Sequence, residues 1–206
     1  MSYVVKCAKN DEFVLKIVQD DDVTSPRQDF DNLGTMICFH RRYNLGDPHS
    51  YSDPRHFLES LASELSDFDD EQLEVMSMDD LLEVIKEYAV ILPLYLYDHS
   101  GITISTTPFS CKWDSGQVGW IYVTYEKMAA EGLNIEQAVR SLEAEVETYD
   151  QYLTGDVYGF KIETRDGDLL ESCWGFYGLD YLISELKGYL PNEYHDLVDS
   201  LTDVNL

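Results

Sequence analysis

The sequence predicts an α+β fold, with a mainly antiparallel sheet and packed helices in a single compact domain over residues 1–206. Three observations predict it. Short apolar or alternating runs recur in pairs around turn residues, as antiparallel hairpins do. Amphipathic helical stretches interrupt them irregularly, with no βαβ series. Hydrophobic residues make up 44% of the chain and aromatics 13%, enough to fill a core where a disordered acidic chain would lack aromatics.

The elements follow in order. Tyr3 to Cys7 and Phe13 to Val18 form an N-terminal hairpin within 3–18, around Ala8-Lys9-Asn10-Asp11. Gln19 to Asn32 is an acidic, Pro-containing loop, and Thr35 to His40 an apolar strand. Arg41 to Asp53 is irregular. An acidic helical segment covers 54–88: Asp53-Pro54 opens one helix, with Asp as N-cap, Pro at the first position and Phe57, Leu58, Leu61 and Leu65 as its stripe. After the link Ser66 to Glu71, a second helix runs from Met78 to Tyr88. Val90 to Tyr97 is a strand in which Pro93 implies an edge or a bulge. Asp98 to Gly101 is a turn, and Ile102 to Thr106 returns as its partner. Pro108 to Gln117 is a loop, Val118 to Thr124 a strand and Tyr125 to Glu131 a helical turn. Ile135 to Leu153 is the longest helix, closed by Gly155. Val157 to Thr164 and Leu169 to Phe176 pair around Arg165-Asp166-Gly167-Asp168. Two C-terminal helices within 179–201 are split by Pro191.

Charge dominates the composition. Forty Asp and Glu stand against 14 Lys and Arg, a formal net charge of -26. Such a surplus repels phosphate, which argues against direct binding to nucleic acid or to an anionic membrane and calls for a basic, cationic or metallic partner. The acids are also clustered. From Glu59 to Glu87 there are eleven, with Lys86 the only base. From Glu136 to Asp156 there are Glu136, Glu143, Glu145, Glu147, Asp150 and Asp156 against Arg140, and the tail holds Glu193, Asp196, Asp199 and Asp203. These segments read as helices, where carboxylates three or four apart share a face and repel mildly. A globule of this length has a radius of gyration of roughly 17 Å, hence a diameter of about 43 Å. Duplex DNA of that length carries about 25 phosphates. The charge therefore suffices to imitate a short duplex. The expected contacts to a basic partner are Glu59, Glu64, Asp67, Asp69, Asp70, Glu71, Glu74, Asp79, Asp80 and Glu83, joined by Glu143, Glu147 and Asp150. The alternative is an interaction protein whose acidic skin serves solvation.

Three loops gather reactive side chains: Cys38 to Asp47 followed by His49, Tyr97 to Gly101, and Cys111 to Gly116. A cysteine hydrolase could be assembled from Cys111 and His99 with Asp98 or Asp114, and His40 nearby, because a thiolate needs an imidazole to activate it and a third group to orient that base. A metal site could draw on His40, Asp47, His49 and His99. Neither has diagnostic spacing, and the same residues also suit hydrogen-bonded strand ends and small buried thiols. No motif calls for a metal or a cofactor. Arg41-Arg42 is the only basic doublet and suits internal ion pairs. Cys7, Cys38, Cys111 and Cys173 contain no CxxC pair, no stretch has the length of a membrane span, and MSYVVKCAKNDEF lacks the apolar run of a signal peptide. A cytoplasmic protein with reduced thiols is expected.

The segments CFHRRYNLGD, LYDHSGITISTTPFSCKWDSGQVGWIYV and EVETYDQYLTGDVYGF resemble a family of small acidic proteins, of no assigned activity, carried by phages and integrative elements of Gram-positive bacteria. The resemblance spans roughly residues 31 to 178 and carries no residue roles. It implies a mobile-element setting, hence the cytoplasm of a host cell, where acidic DNA mimics recur among anti-restriction and anti-CRISPR proteins. By that analogy the expected function is inhibition of a restriction or CRISPR nuclease, or of another DNA- or RNA-binding protein.

Overall fold

The computed structural model describes residues 3–204, and among them nine strands and eight α-helices follow one another in short runs. In chain order they are β1 (Val4–Lys9), β2 (Phe13–Gln19), α1 (Pro26–Asp29), β3 (Thr35–Cys38), α2 (Pro54–Leu65), α3 (Asp70–Glu74), α4 (Met78–Lys86), β4 (Ala89–Asp98), β5 (Ile102–Ser105), β6 (Ser115–Thr124), α5 (Tyr125–Ala130), α6 (Ile135–Thr154), β7 (Val157–Thr164), β8 (Leu169–Tyr177), α7 (Leu179–Tyr189), α8 (His195–Asp199) and β9 (Thr202–Asp203). All strand pairing is antiparallel, so the fold is α+β. Among the described residues no helix is long and apolar enough to cross a membrane. The strands form two sheets, ordered β8-β7-β2-β1-β9 and β3-β6-β4-β5. They belong to two compact units: the chain up to Pro26 with the chain from Asp150 onward, and the stretch Arg27–Tyr149 between them.

In the unit holding the termini, the β1–β2 turn is fixed by Asn10, whose Oδ1 accepts from the backbone N–H groups of Glu12 and Phe13. Alternation then sends Leu15 and Ile17 of β2, with Phe160 and Ile162 of β7, to one sheet face. There they meet Leu182 and Leu186 of α7 and Leu197 of α8 in one core. Three short features depart from the expected elements. The acidic loop contains α1, the link Ser66 to Glu71 runs into α3, and a two-residue β9 pairs with β1. Each is shorter than the window over which periodicity declares itself. The second closing helix begins as a 3-10 turn over Asn192–Tyr194.

The Arg27–Tyr149 unit is a sheet clothed on both faces. Asp53 caps α2 as expected, its carboxylate accepting from His56 N at 3.0 Å. Helices α3 and α4 start in reciprocal capping boxes, Asp69 with Gln72 and Ser77 with Asp80. Their apolar stripes converge: Phe57, Leu58 and Leu61 of α2, Leu73 of α3, and Leu81 and Ile85 of α4 form one core with Ile37, Ile91 and Trp120 of the sheet. Phe57 lies 5.8 Å from both Trp120 and Tyr122, ring to ring. Ile121, between them in β6, points the other way. A methyl group at Gly34 would strike both Ile121 and Leu142 of α6. Helices α2–α4 therefore cover one sheet face and α6 the other. Pro93 sits where β4 has β6 as its only neighbour, because β5 pairs only with Tyr95–Asp98, and the register shifts just beyond it at Leu94/Tyr95.

Candidate functional site

The three-helix layer α2–α4 carries the eleven acids from Glu59 to Glu87 on its outer side, because its inner side is spent on the apolar core. Its bases are Arg55 and Lys86, and both are consumed. Arg55 holds Glu59 at 2.6 Å and also donates to the carbonyls of Glu74 and Met76, which pins the start of α2 to the end of α3. Lys86 holds Glu83 at 2.8 Å. Asp69 and Asp80 are turned to capping. Hydrogen bonds from Ser77 hold the Asp80 carboxyl below its ordinary range, and the N–H of His56 does the same for Asp53. Asp70 receives a long contact of 3.4 Å from the Ser63 hydroxyl.

What remains is Glu64, Asp67, Glu71, Glu74, Asp79 and Glu87. All six are exposed and have no ion pair or side-chain hydrogen bond among the described residues. Glu59, Glu64, Asp70 and Glu74 line one groove of about 790 Å³ between α2 and α3. On α4, Asp79, Asp80, Glu83 and Glu87 follow helical spacing along one exposed face.

The acids of α6 form a different set. Glu143 and Glu147 are exposed, but α6 lies on the sheet face opposite α2–α4, so the expected contact residues divide into two surfaces. Asp150 belongs to the last turns of α6, beyond Tyr149, where the chain passes into the other unit. Glu145 is not a surface acid. It binds Arg27 at 2.7 Å and accepts from the backbone N–H groups of Leu33 and Gly34. The same guanidinium makes a two-pronged pair with Asp47, at 2.9 and 2.7 Å, and donates to the Gly34 carbonyl. Asp47 in turn accepts from Met36 N. Burial pulls the Arg27 pKa down, but the hydrogen bonds that its guanidinium donates to Asp47 and Glu145, with their negative charges, outweigh it and leave it raised. Gly46 supports the turn at a positive φ of 71°, with its N–H on the Tyr149 hydroxyl.

The three reactive loops converge at one end of the same sheet. Phe39 to Arg42 follow β3, Asp98 to Gly101 join β4 to β5, and Cys111 to Asp114 lead into β6. His99 Nδ1 lies 3.2 Å from Asp114 Oδ2, and Cys111 Sγ lies 3.8 Å from the same oxygen. A carboxylate thus bridges thiol and imidazole, whereas nucleophilic catalysis places the imidazole between the other two. Asp98 is engaged by Arg42, which matches the ion pairing expected of the doublet; Arg41 has no such partner among the described residues. His40 stacks on Tyr43 at 4.9 Å, with the planes 8° apart. His49 Nε2 donates to the Cys38 carbonyl at 2.9 Å, and its Nδ1 is buried without a partner among the described residues. With Asp47 bound to Arg27, the four side chains considered for a metal stay apart, and no group of three or more His, Cys, Asp or Glu gathers as ligands among the described residues. Burial pushes the Cys38 thiol up to about 12.

Sequence reasoning missed Arg27 and its two carboxylates. A signal was present: Glu145 falls within the apolar stripe of Ala138, Leu142, Val146 and Tyr149, on the inward side of α6. No family model, no curated protein and no solved structure matches the chain.

Proposed function

We propose that the protein is an acidic nucleic-acid mimic, which inhibits a DNA- or RNA-binding enzyme of host defence, such as a restriction or CRISPR nuclease, by occupying its basic groove. One observation carries this reading: six exposed carboxylates without partners stand on a rigid three-helix layer whose only two bases are already paired. A surface kept for solubility alone would mix the signs of its charges. Here the helices hold the like charges in place through capping boxes and a shared core, at a cost in self-repulsion. Fixed carboxylates arranged along helices offer a basic groove what phosphates offer it: ordered negative charge and rapid, steered encounter.

The contact surface is assigned to α2–α4, and the α6 acids are outside it, because one basic groove cannot embrace both faces of the sheet. The test is displacement of a labelled duplex from a restriction endonuclease and from a CRISPR nuclease. Displacement by the wild-type protein is expected, with affinity that falls steeply as salt rises. Loss of activity on Cys111→Ala or His99→Ala, with charge reversal on α2–α4 silent, would favour a hydrolase and count against the mimic.

A further inference from the structure

The loop cluster has the opposite character to the acidic layer. Its groove, of about 530 Å³, lies within the volume range of small-ligand sites. The floor is apolar, from Leu96 and Val118, and the walls carry Arg41, Arg42, His40 and Trp113. The two carboxylates that line it are both engaged, Asp98 by Arg42 and Asp114 by His99. Arg41, which lines the groove, is left with no ion pair among the described residues, in a chain with forty carboxylates. Its guanidinium is therefore available to an anion at this groove.

Trp113 is 96% exposed. An indole gains from burial, and one held in water at a groove rim offers a flat face for stacking. His40 presents a second planar ring to the same groove, held in place by its stack on Tyr43. Arg42 is positioned from both sides, by Asp98 and by the Tyr43 ring 5.3 Å away. The site thus joins a free guanidinium, Arg41, to the exposed ring of Trp113 and the half-exposed ring of His40. Guanidinium recognises phosphate oxygens, and aromatic rings take up a base without regard to sequence.

We infer that this groove binds a nucleoside phosphate, with the base on Trp113 and the phosphate on Arg41. A mononucleotide fits where a polymer does not: it brings one phosphate to the local cations instead of a row of them to a protein of net charge -26. The site is independent of the acidic layer, and failure of either leaves the other standing.

Equilibrium dialysis against adenosine 5′-monophosphate, adenosine and inorganic phosphate tests it. Saturable binding of the monophosphate is expected, with adenosine and phosphate each at least ten-fold weaker. Arg41→Glu and Trp113→Ala should each weaken binding at least ten-fold, and both side chains are exposed enough for the fold to survive, which circular dichroism checks. Tryptophan emission should be quenched on binding, and that signal should vanish in Trp113→Phe while dialysis still detects the ligand. Absence of saturable binding up to millimolar concentration would overturn the inference. So would phosphate binding as tightly as the nucleotide, or affinity indifferent to Arg41→Glu.

Discussion

Glu145 and Glu147 stand two residues apart on one helix and do opposite work. Glu145 is turned inward onto Arg27 and two backbone N–H groups, and with Asp47 it closes a buried polar knot. Glu147 is exposed, like the six partnerless acids of α2–α4 on the other side of the sheet. A net charge therefore hides two populations. One is structural, individually satisfied and close to the core. The other is unsatisfied, peripheral and available to a partner. The difference teaches that location relative to the apolar stripe, rather than the number of acids, decides what a carboxylate does.

The largest effect should come from breaking the first population. Arg27→Met strands two partly buried carboxylates and the Gly34 carbonyl, and loss of one member of a buried ionic group costs about 3–5 kcal/mol. That is a large fraction of an ordinary domain's stability, so a strongly lowered urea midpoint is expected. Reversal of Glu64, Glu71, Glu74 and Asp79 to Lys should do the converse. Folding should be unchanged or slightly firmer, because like charges are removed, while competition with duplex is lost.

Smaller effects probe the caps that hold the layer rigid. Ser77→Ala removes a cap worth roughly 1 kcal/mol. It should also change the acid limb of the stability curve. The folded-state pKa values of Asp53 and Asp80 lie below their ordinary value of 3.8. Their contribution is therefore present above that value and is lost as pH falls through the lowered ones. Without the Ser77 hydroxyl the larger of the two Ser77 hydrogen bonds that lower the Asp80 pKa is lost and only the backbone N–H remains, so the Asp80 share shrinks and acid unfolding should begin at higher pH. The smallest signal is chemical. Cys38, buried and with its pKa pushed up to about 12, should be the last of the four thiols to react with an alkylating agent at pH 8, and should become reactive in step with unfolding of Arg27→Met.

Much of this was legible in the sequence, and what was not has physical causes. Asp53-Pro54 located the start of α2, Asp166-Gly167 the β7–β8 turn, and Gly155 the end of α6, since each encodes a local backbone requirement. Helices α1 and α3 and strand β9 are too short for a pattern. The knot around Arg27 joins residues 20 and 118 positions apart, which no local signal encodes. That the acids of α2–α4 and α6 face away from each other follows from sheet packing, and so does the convergence of the three loops. The acidic helices were thus visible as segments and invisible as surfaces.

The most direct measurement compares two charge-reversed proteins in one duplex-displacement assay across a salt series: Glu64→Lys/Glu71→Lys/Glu74→Lys/Asp79→Lys on α2–α4, and Glu143→Lys/Glu147→Lys on α6. If the three-helix layer is the mimic, wild type and the α6 variant displace duplex with the same steep salt dependence, and the α2–α4 variant does not displace it at all. Equal loss in both variants, or displacement that ignores salt, would contradict the account.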